Sequence, residues 1–239
     1  MIRWYAELPS TQTAALQAAR AGSAEGTVFV ADRQTAGRGR HGHTWESPAG
    51  AGLYCSALLW PRRPVADLLL LTLAAGLAAA DAVREACGLE AEIRWPNDLL
   101  FAGKKFGGIL IESAAEGGRL CAALGIGINL RSAALPPELA DIATALDKHL
   151  PRPCDRQELL AALVDQVARR YRAWTRGEDA ALLAEFTARS RYAQGLEVVV
   201  GGADGYRGTT AGLEPTGFLR VRLASGEVRT IVSGDVRPA

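Results

Sequence analysis

Lysine is scarce in this chain. Of its 27 cationic residues only Lys104, Lys105 and Lys148 are lysines. Arginine carries almost every positive charge, so the adjacent pair Lys104-Lys105 raises a functional question. A charge surplus is missing as well. The 27 cations stand against 26 anions, a formal net charge of +1, which removes any global electrostatic case for nucleic acid or a membrane surface and leaves anion binding to local clusters. The four cysteines, Cys55, Cys87, Cys121 and Cys154, form no C-x-x-C pair and sit among apolar or small neighbours. That spacing argues against a metal site or a disulfide framework and predicts reduced core thiols in a cytoplasmic protein. The first residues, Met1-Ile2-Arg3-Trp4-Tyr5-Ala6-Glu7, lack the apolar core of a signal peptide. The longest apolar run, residues 68–80, is too short to span a bilayer and reads as a buried helix. Also missing are a Ser/His/Asp set, a cysteine nucleophile with a paired histidine, and the G-x-x-x-x-G-K-[ST] phosphate loop. His41-Gly42-His43 offers two imidazoles on a glycine loop without a fixed third ligand, so no protein metal site is expected.

What is present is an ordinary globular composition. The chain has 239 residues, 49% hydrophobic and 22% charged, enough for one substantial domain and a small one. The boundary is expected where the composition changes, giving residues 1–192 and 193–239. In the first part, strands are predicted at 2–8, 27–31 and 52–60. Pro9-Ser10-Thr11 opens a helix to about Gly22. A long helix over 65–87 is stopped by Gly88. Residues 90–128 read as an antiparallel meander, with turns at Pro96-Asn97-Asp98, Ala102-Gly103-Lys104 and Glu116-Gly117-Gly118. Residues 136–149 are irregular with a short helix, and two helices follow over 155–176 and 177–191. Beyond Gly195, four or five short strands with turns at Gly201-Gly202, Glu214-Pro215-Thr216-Gly217 and Ser225-Gly226 predict a small β-barrel. The fold class is α+β, a mixed, largely antiparallel sheet packed on helices and followed by that barrel.

Two stretches carry chemistry. In Gln34-Thr35-Ala36-Gly37-Arg38-Gly39-Arg40-His41-Gly42-His43-Thr44-Trp45 no apolar period runs through, so it is neither helix nor strand. Its glycines let backbone N–H groups approach a ligand and its arginines fork onto carboxylate or phosphate. Taken alone it is equally a solvated basic loop. The second stretch is Trp95-Pro96-Asn97-Asp98 with Lys105 and Gly107-Gly108 on adjacent strands of one hairpin. Asn97-Asp98 is a plain turn pair or a site corner, Lys105 a solvated strand residue or a ligand cation. The glycines tip the balance, because a Gly-Gly strand interior invites close approach. Ser10-Thr11-Gln12 is a helix cap that could also dock a polar ligand. Trp45 could stack on a ring. Together these parts fit positioning and electrostatic catalysis on a phosphoanhydride.

Ser10-Thr11-Gln12, the run from Ala31 to Trp45, Arg94-Trp95-Pro96-Asn97-Asp98, Lys104-Lys105-Phe106-Gly107-Gly108-Ile109-Leu110-Ile111-Glu112 and Gly125-Ile126-Gly127-Ile128-Asn129-Leu130 resemble, in that order, the motifs of biotin–protein ligases. The resemblance covers nearly the whole chain. It implies a class II synthetase-like catalytic domain and an SH3-like barrel. It implies an enzyme that uses biotin and Mg-ATP to form biotinyl-5′-adenylate, then passes the acyl group to a lysine of the biotin carboxyl carrier domain of acetyl-CoA carboxylase. By the resemblance Ser10, Thr11, Gln12, Gln34 and Gly108 belong to the biotin site. Arg38, Gly39 and Arg40 belong to a lid that orders over biotin and adenylate, with Arg38 also reaching ATP. Lys105 lies between carboxylate and α-phosphate, Asp98 orients the reacting groups, and Arg40 joins them as a catalytic cation. Trp45, Asn97 and Asn129 are the ATP-side contacts, and Mg2+ arrives through the ATP phosphates. Such a lid is expected to be poorly ordered without ligand. The family often has further basic residues where this chain has His41 and His43, which implies a less permanently charged loop. Because the Ser10 motif begins almost at Met1, a monofunctional enzyme without DNA binding or repressor activity is expected. The family's sheet-edge dimers make a homodimer plausible. Two rivals stay open: a lipoate or octanoyl ligase of the same superfamily, and a non-enzymatic RNA-binding module.

Overall fold

The structure is a computed structural model and describes residues 1–201, 205–232, 234 and 236–239. One sheet of seven strands organises it. These are β1 (Ile2–Leu8), β2 (Val28–Gln34), β3 (Gly52–Leu59), β4 (Glu92–Arg94), β5 (Asp98–Phe101), β6 (Lys104–Glu116) and β7 (Arg119–Asn129), in the order β1-β2-β3-β7-β6-β5-β4. Only β1 and β2 run parallel; every other neighbouring pair is antiparallel. The expected mixed, largely antiparallel sheet is present.

Alternation along β7 decides what lies on each face. Leu124, Ile126 and Ile128 belong to the main core, while Gly125 and Gly127 point the other way, toward Gln12 and Trp45. The main core is covered by α2 (Leu68–Cys87), α3 (Arg156–Thr175) and α4 (Asp179–Arg189). The opposite face is covered by α1 (Thr11–Arg20), whose Ala15, Ala18 and Ala19 pack on Phe29, Leu58 and Ala123. Ser10 caps α1 through its hydroxyl, which accepts the Gln12 N–H at 3.2 Å. Asp155 caps α3 by accepting two backbone N–H groups. Gly88 ends α2 at φ 69°, a left-handed turn that costs glycine nothing.

Three expectations need correction. Cys87 and Cys154 are joined in a disulfide with their Cα atoms 5.6 Å apart, so only Cys55 and Cys121 are free thiols. The pairing was invisible because α2 and α3 bring together residues 67 positions apart in sequence. Length does not argue against a membrane span either. With its leading turn, Val65–Cys87 is long and apolar enough to cross one, and it is burial, 67% of its most apolar window, that marks it as a core helix. Third, residues 136–149 hold two short 3-10 turns instead of one short helix.

The C-terminal strands β8 (Gln194–Val200), β9 (Tyr206–Leu213), β10 (Leu219–Arg222), β11 (Val228–Ile231) and β12 (Val236–Pro238) form a five-stranded antiparallel sheet in the order β11-β10-β9-β8-β12. Part of the expected turn at Gly201-Gly202 lies outside the described residues. This sheet is not free-standing. Val198, Leu219 and Val221 join the same apolar cluster as α2 and β7. The Trp95 indole N–H donates to the Gly217 carbonyl at 2.9 Å, tying the second sheet to the Trp95-Pro96-Asn97-Asp98 corner.

Candidate functional site

The site grows from the N-terminus of α1. Thr11 donates both its backbone N–H (2.9 Å) and its hydroxyl (3.1 Å) to Gln34 Oε1. Its hydroxyl also lies 2.8 Å from that of Ser56 on β3. The Gln34 amide nitrogen donates to Ser47 Oγ at 2.9 Å. These groups form a partly buried polar patch at the end of β2 and the middle of β3. Gln12 reaches across to β6 and β7, donating to the carbonyls of Leu110 and Ala123. A Cβ on Gly125 would come within 2.9 Å of the Gln12 side chain, so glycine there is what admits it.

A few ångströms along, Trp45 lies against β6 and β7. A Cβ on Gly127 would fall 2.7 Å from the Trp45 indole nitrogen, and one on Gly108 would meet both Trp45 and Lys105 at 3.3 Å. Gly107 serves differently, since a Cβ there would press Leu99 and the Gly127 carbonyl; of the Gly-Gly pair only Gly108 faces the site. The Trp45 indole N–H is buried and has no hydrogen-bond partner. An unsatisfied buried donor is costly, and this one belongs to a residue that lines the cavity of the site.

Lys105 stands over the Trp45 ring, its ammonium 5.3 Å from the centroid, and pairs with Asp98 at 2.6 Å. Asp98 also accepts from Arg94 at 2.6 Å. The register pairs Asp98 with Gly108, and an irregularity between Leu99 and Leu100 sets Lys105 opposite Leu100. The two lysines of the pair part company here, because Lys104 donates to the Ala140 carbonyl, away from the site.

The Gly/Arg loop has a defined path. Arg38 bridges Thr44 in antiparallel fashion, Gly39 N–H donates to the His43 carbonyl at 2.7 Å, and Arg40–Gly42 form one 3-10 turn. His41 takes φ 55° inside it. Arg40 donates to Asn97 Oδ1 at 3.3 Å; burial lowers its pKa, against the raising pull of Asp98. Arg38 turns outward, to Glu112 at 2.7 Å and Thr13 at 3.0 Å.

Ten residues singled out from sequence line one small cavity of about 50 Å3: Thr11, Gln12, Gln34, Arg38, Gly39, Arg40, Trp45, Asn97, Lys105 and Gly108. Asp98 reaches it only through Lys105. Ser10 is buried and spent as a cap. Asn129 lies outside the lining, its amide donating to the Thr144 carbonyl at 3.2 Å. Sequence reasoning missed Tyr54, Ser56, Gly125 and Gly127 as lining residues. Ser56 had a signal, the one aliphatic hydroxyl in a strand otherwise of glycine, alanine, leucine, tyrosine and cysteine. Among the described residues no group of three His, Cys, Asp or Glu could hold a metal ion. The arrangement puts a polar recognition patch at one end, an aromatic shelf at the other and cations between. That is suited to joining two anions, whose repulsion must be screened.

A family model described as the biotin/lipoate A/B protein ligase family matches residues 4–129. The chain is 41% identical over 168 residues to the bifunctional ligase/repressor BirA of Bacillus subtilis, covering 69% of this chain and 52% of that protein; it thus spans about half the length of this relative. It is 33% identical over 226 residues to the biotin--[acetyl-CoA-carboxylase] ligase of Mycobacterium tuberculosis, covering 92% of this chain and 82% of that one. Among solved structures it is similar to a biotin protein ligase from Aquifex aeolicus in complex with biotin and ATP, with a TM-score of 0.86, 30% identity and coverage of 100% of this chain and 99% of that one.

Proposed function

The chain belongs to the biotin/lipoate A/B protein ligase family, and on that premise we propose that it is an ATP-dependent ligase that activates biotin as biotinyl-5′-AMP and transfers it to a lysine of the biotin carboxyl carrier protein of acetyl-CoA carboxylase. The single observation that carries this is Lys105, held by Asp98 at 2.6 Å and lining one cavity with the Thr11–Gln34–Ser56 patch and the unpartnered Trp45 indole.

The polar patch at Thr11 and Gln34 offers donors and acceptors to the ureido end of biotin, with Ser10 and Gln12 holding the α1 terminus that presents it. Lys105 sits where the biotin carboxylate meets the α-phosphate. There its charge screens two anions and stabilises the charge that develops as a carboxylate oxygen bonds to phosphorus and pyrophosphate leaves. Asp98 fixes the ammonium by accepting from it, and Arg94 fixes Asp98. Arg40 adds a second cation from the lid, Arg38 a third once it leaves Glu112, and Gly39 lets the lid backbone close. Trp45 shelves the adenine, Asn97 anchors Arg40, and Asn129 organises the phosphate side through the 129–144 contact. Mg2+, supplied with ATP, would neutralise the outgoing pyrophosphate; among the described residues no group of three His, Cys, Asp or Glu offers it a ligand set. The adenylate is hydrolysable, so a closed lid excludes water. In the second step the carrier lysine attacks the acyl carbon and AMP leaves, so the nucleophile comes from the partner.

We assign residues 1–192 to this catalysis and residues 193–239 to an SH3-like module, in a cytoplasmic enzyme that forms sheet-edge homodimers. Incubation of the purified chain with ATP, labelled biotin and a carrier domain tests the function. Labelling of the carrier lysine that requires both ATP and biotin is expected. Transfer of labelled lipoate or octanoate in preference to biotin would overturn the substrate assignment.

A further inference from the structure

A second cavity, of about 600 Å3, lies on the opposite side of the central sheet from the candidate active site. Protein interiors leave few voids larger than a water molecule, and this volume is in the range of small-molecule sites. Its floor is the core face of the sheet, including Val28, Ala57 and Leu124; its roof is α3, including Leu163, Val164 and Val167. The roof is braced at a distance. Arg170 binds Asp81 of α2 at 2.7 Å, Tyr171 donates to Glu25 at 2.7 Å, and Arg63 donates to the Trp174 carbonyl at 2.7 Å. These struts keep α3 from settling onto the sheet, so the space is built into the fold.

The groups around it narrow what it could hold. The interior presents no free polar partner: the Cys55 thiol is directed at the Ile126 carbonyl, and the Thr175 hydroxyl at the rim donates to Arg172 O. A ureido or purine ring would lose its hydrogen bonds there. At the mouth, Glu25 is committed to the Trp60 N–H and the Tyr171 hydroxyl, and Arg63 to Asp67 and Asp179. Arg62 and Arg172 are exposed at the same mouth and have no acidic partner among the described residues. Inside, only apolar contact is on offer; outside, two uncommitted cations.

We infer that this cavity is a binding site for an unbranched alkyl carboxylate, its chain between sheet and α3 and its head group at Arg62 and Arg172. Calorimetric titration of the full chain with decanoate, decanol and decyltrimethylammonium, each below its micellar concentration, tests it. Saturable one-to-one binding of decanoate is expected, about tenfold tighter than the cation of equal chain length. Ala168→Trp and, separately, Val164→Phe fill the cavity and weaken decanoate by about tenfold or more. The double variant R62E/R172E weakens decanoate about tenfold and leaves decanol unchanged. Biotin-dependent pyrophosphate release, which uses the other face of the sheet, reports that each variant is folded. Absence of saturable decanoate binding to the wild type, or undiminished binding by whichever cavity-filling variants fold, overturns the site. Equal affinity for decanoate and decyltrimethylammonium overturns the anionic head group.

Discussion

Lys105 is about one-third exposed, with 31% of its side-chain surface accessible, and it plugs no core position. Lys105→Ala is therefore expected to leave the unfolding midpoint nearly unchanged, as surface substitutions do, and to slow adenylate formation by about a hundredfold or more, the scale of losing one preorganised charge at a transition state. Pyrophosphate release at the wild-type rate would remove Lys105 from the role. Gly127 gives a sharper test of the aromatic shelf. A Cβ there overlaps the Trp45 indole at 2.7 Å, so Gly127→Ala must displace that ring. Its KM for ATP is expected to rise by about tenfold while biotin affinity changes little; equal losses for both ligands would argue against the shelf. These residues differed in how well sequence could read them. Lys105 stood out because lysine is rare in this chain, and Arg38 and Arg40 because glycines surround them. Tyr54 did not, and the hydroxyl of Ser56 gains its meaning only where the fold brings it to Thr11. Asn129 was noticed for its Gly-x-Gly-x setting, yet the structure uses the glycines of that motif as the cavity wall and turns the asparagine to Thr144.

At the scale of elements, the disulfide between the last residue of α2 and the segment before α3 has the clearest consequence. It closes a loop with a sequence separation of 67 residues that contains β4 to β7, and with them Asn97, Asp98 and Lys105. Cross-linking a loop of that length restricts the unfolded chain by about 4 kcal/mol in the entropic model. The oxidised protein is expected to unfold at a distinctly higher denaturant concentration than the protein kept in dithiothreitol, with the seven-stranded sheet intact in both before unfolding. Identical midpoints would mean that the bridge adds no constraint. Helices and hairpins were legible from caps and turns: Ser10 and Asp155 begin α1 and α3 where their side chains can accept free N–H groups, and Gly88 ends α2. The bridge was not legible, because a pair of distant cysteines acquires meaning only when two helices are packed together.

Across the whole molecule, one charged network ties the helical layer. Asp81 of α2 binds Arg170 and Arg189, and Glu185 binds the same two arginines. Burial pushes the Asp81 carboxyl up, but the hydrogen bonds and charges of Arg170 and Arg189 outweigh it and hold it below its usual range. The Arg170 hydrogen bond, against partial burial, lowers Glu185 likewise. Depressed carboxyl values add stability that is complete above the ordinary carboxylate range and is lost as pH falls through the folded values. The unfolding midpoint should thus change little between about pH 7 and 5 and drop below about pH 4. Arg170→Met should shrink that acid-side drop as well as lowering stability at neutrality; an unchanged acid limb would place its origin elsewhere. The network also joins α2, α3 and α4 above a core that runs without a break into the C-terminal sheet, where Trp95 meets Gly217. The corner that carries Asn97 and Asp98 is held from both sides.

By itself the sequence determined the order of elements, the mixed sheet class, the Gly/Arg loop and most of the residues that gather in the candidate site. Each of those is written in local chemistry: caps, turns, apolar periods and unusual residues at short spacing. Only the tertiary structure decided that Cys87 meets Cys154, that Arg38 rests on Glu112, that Gly125 and Gly127 make room for Gln12 and Trp45, and that a braced apolar cavity lies behind the site. The physical reason is common to all four. Each depends on the distance between segments remote in sequence, and that distance is set by how the sheet and its helices pack.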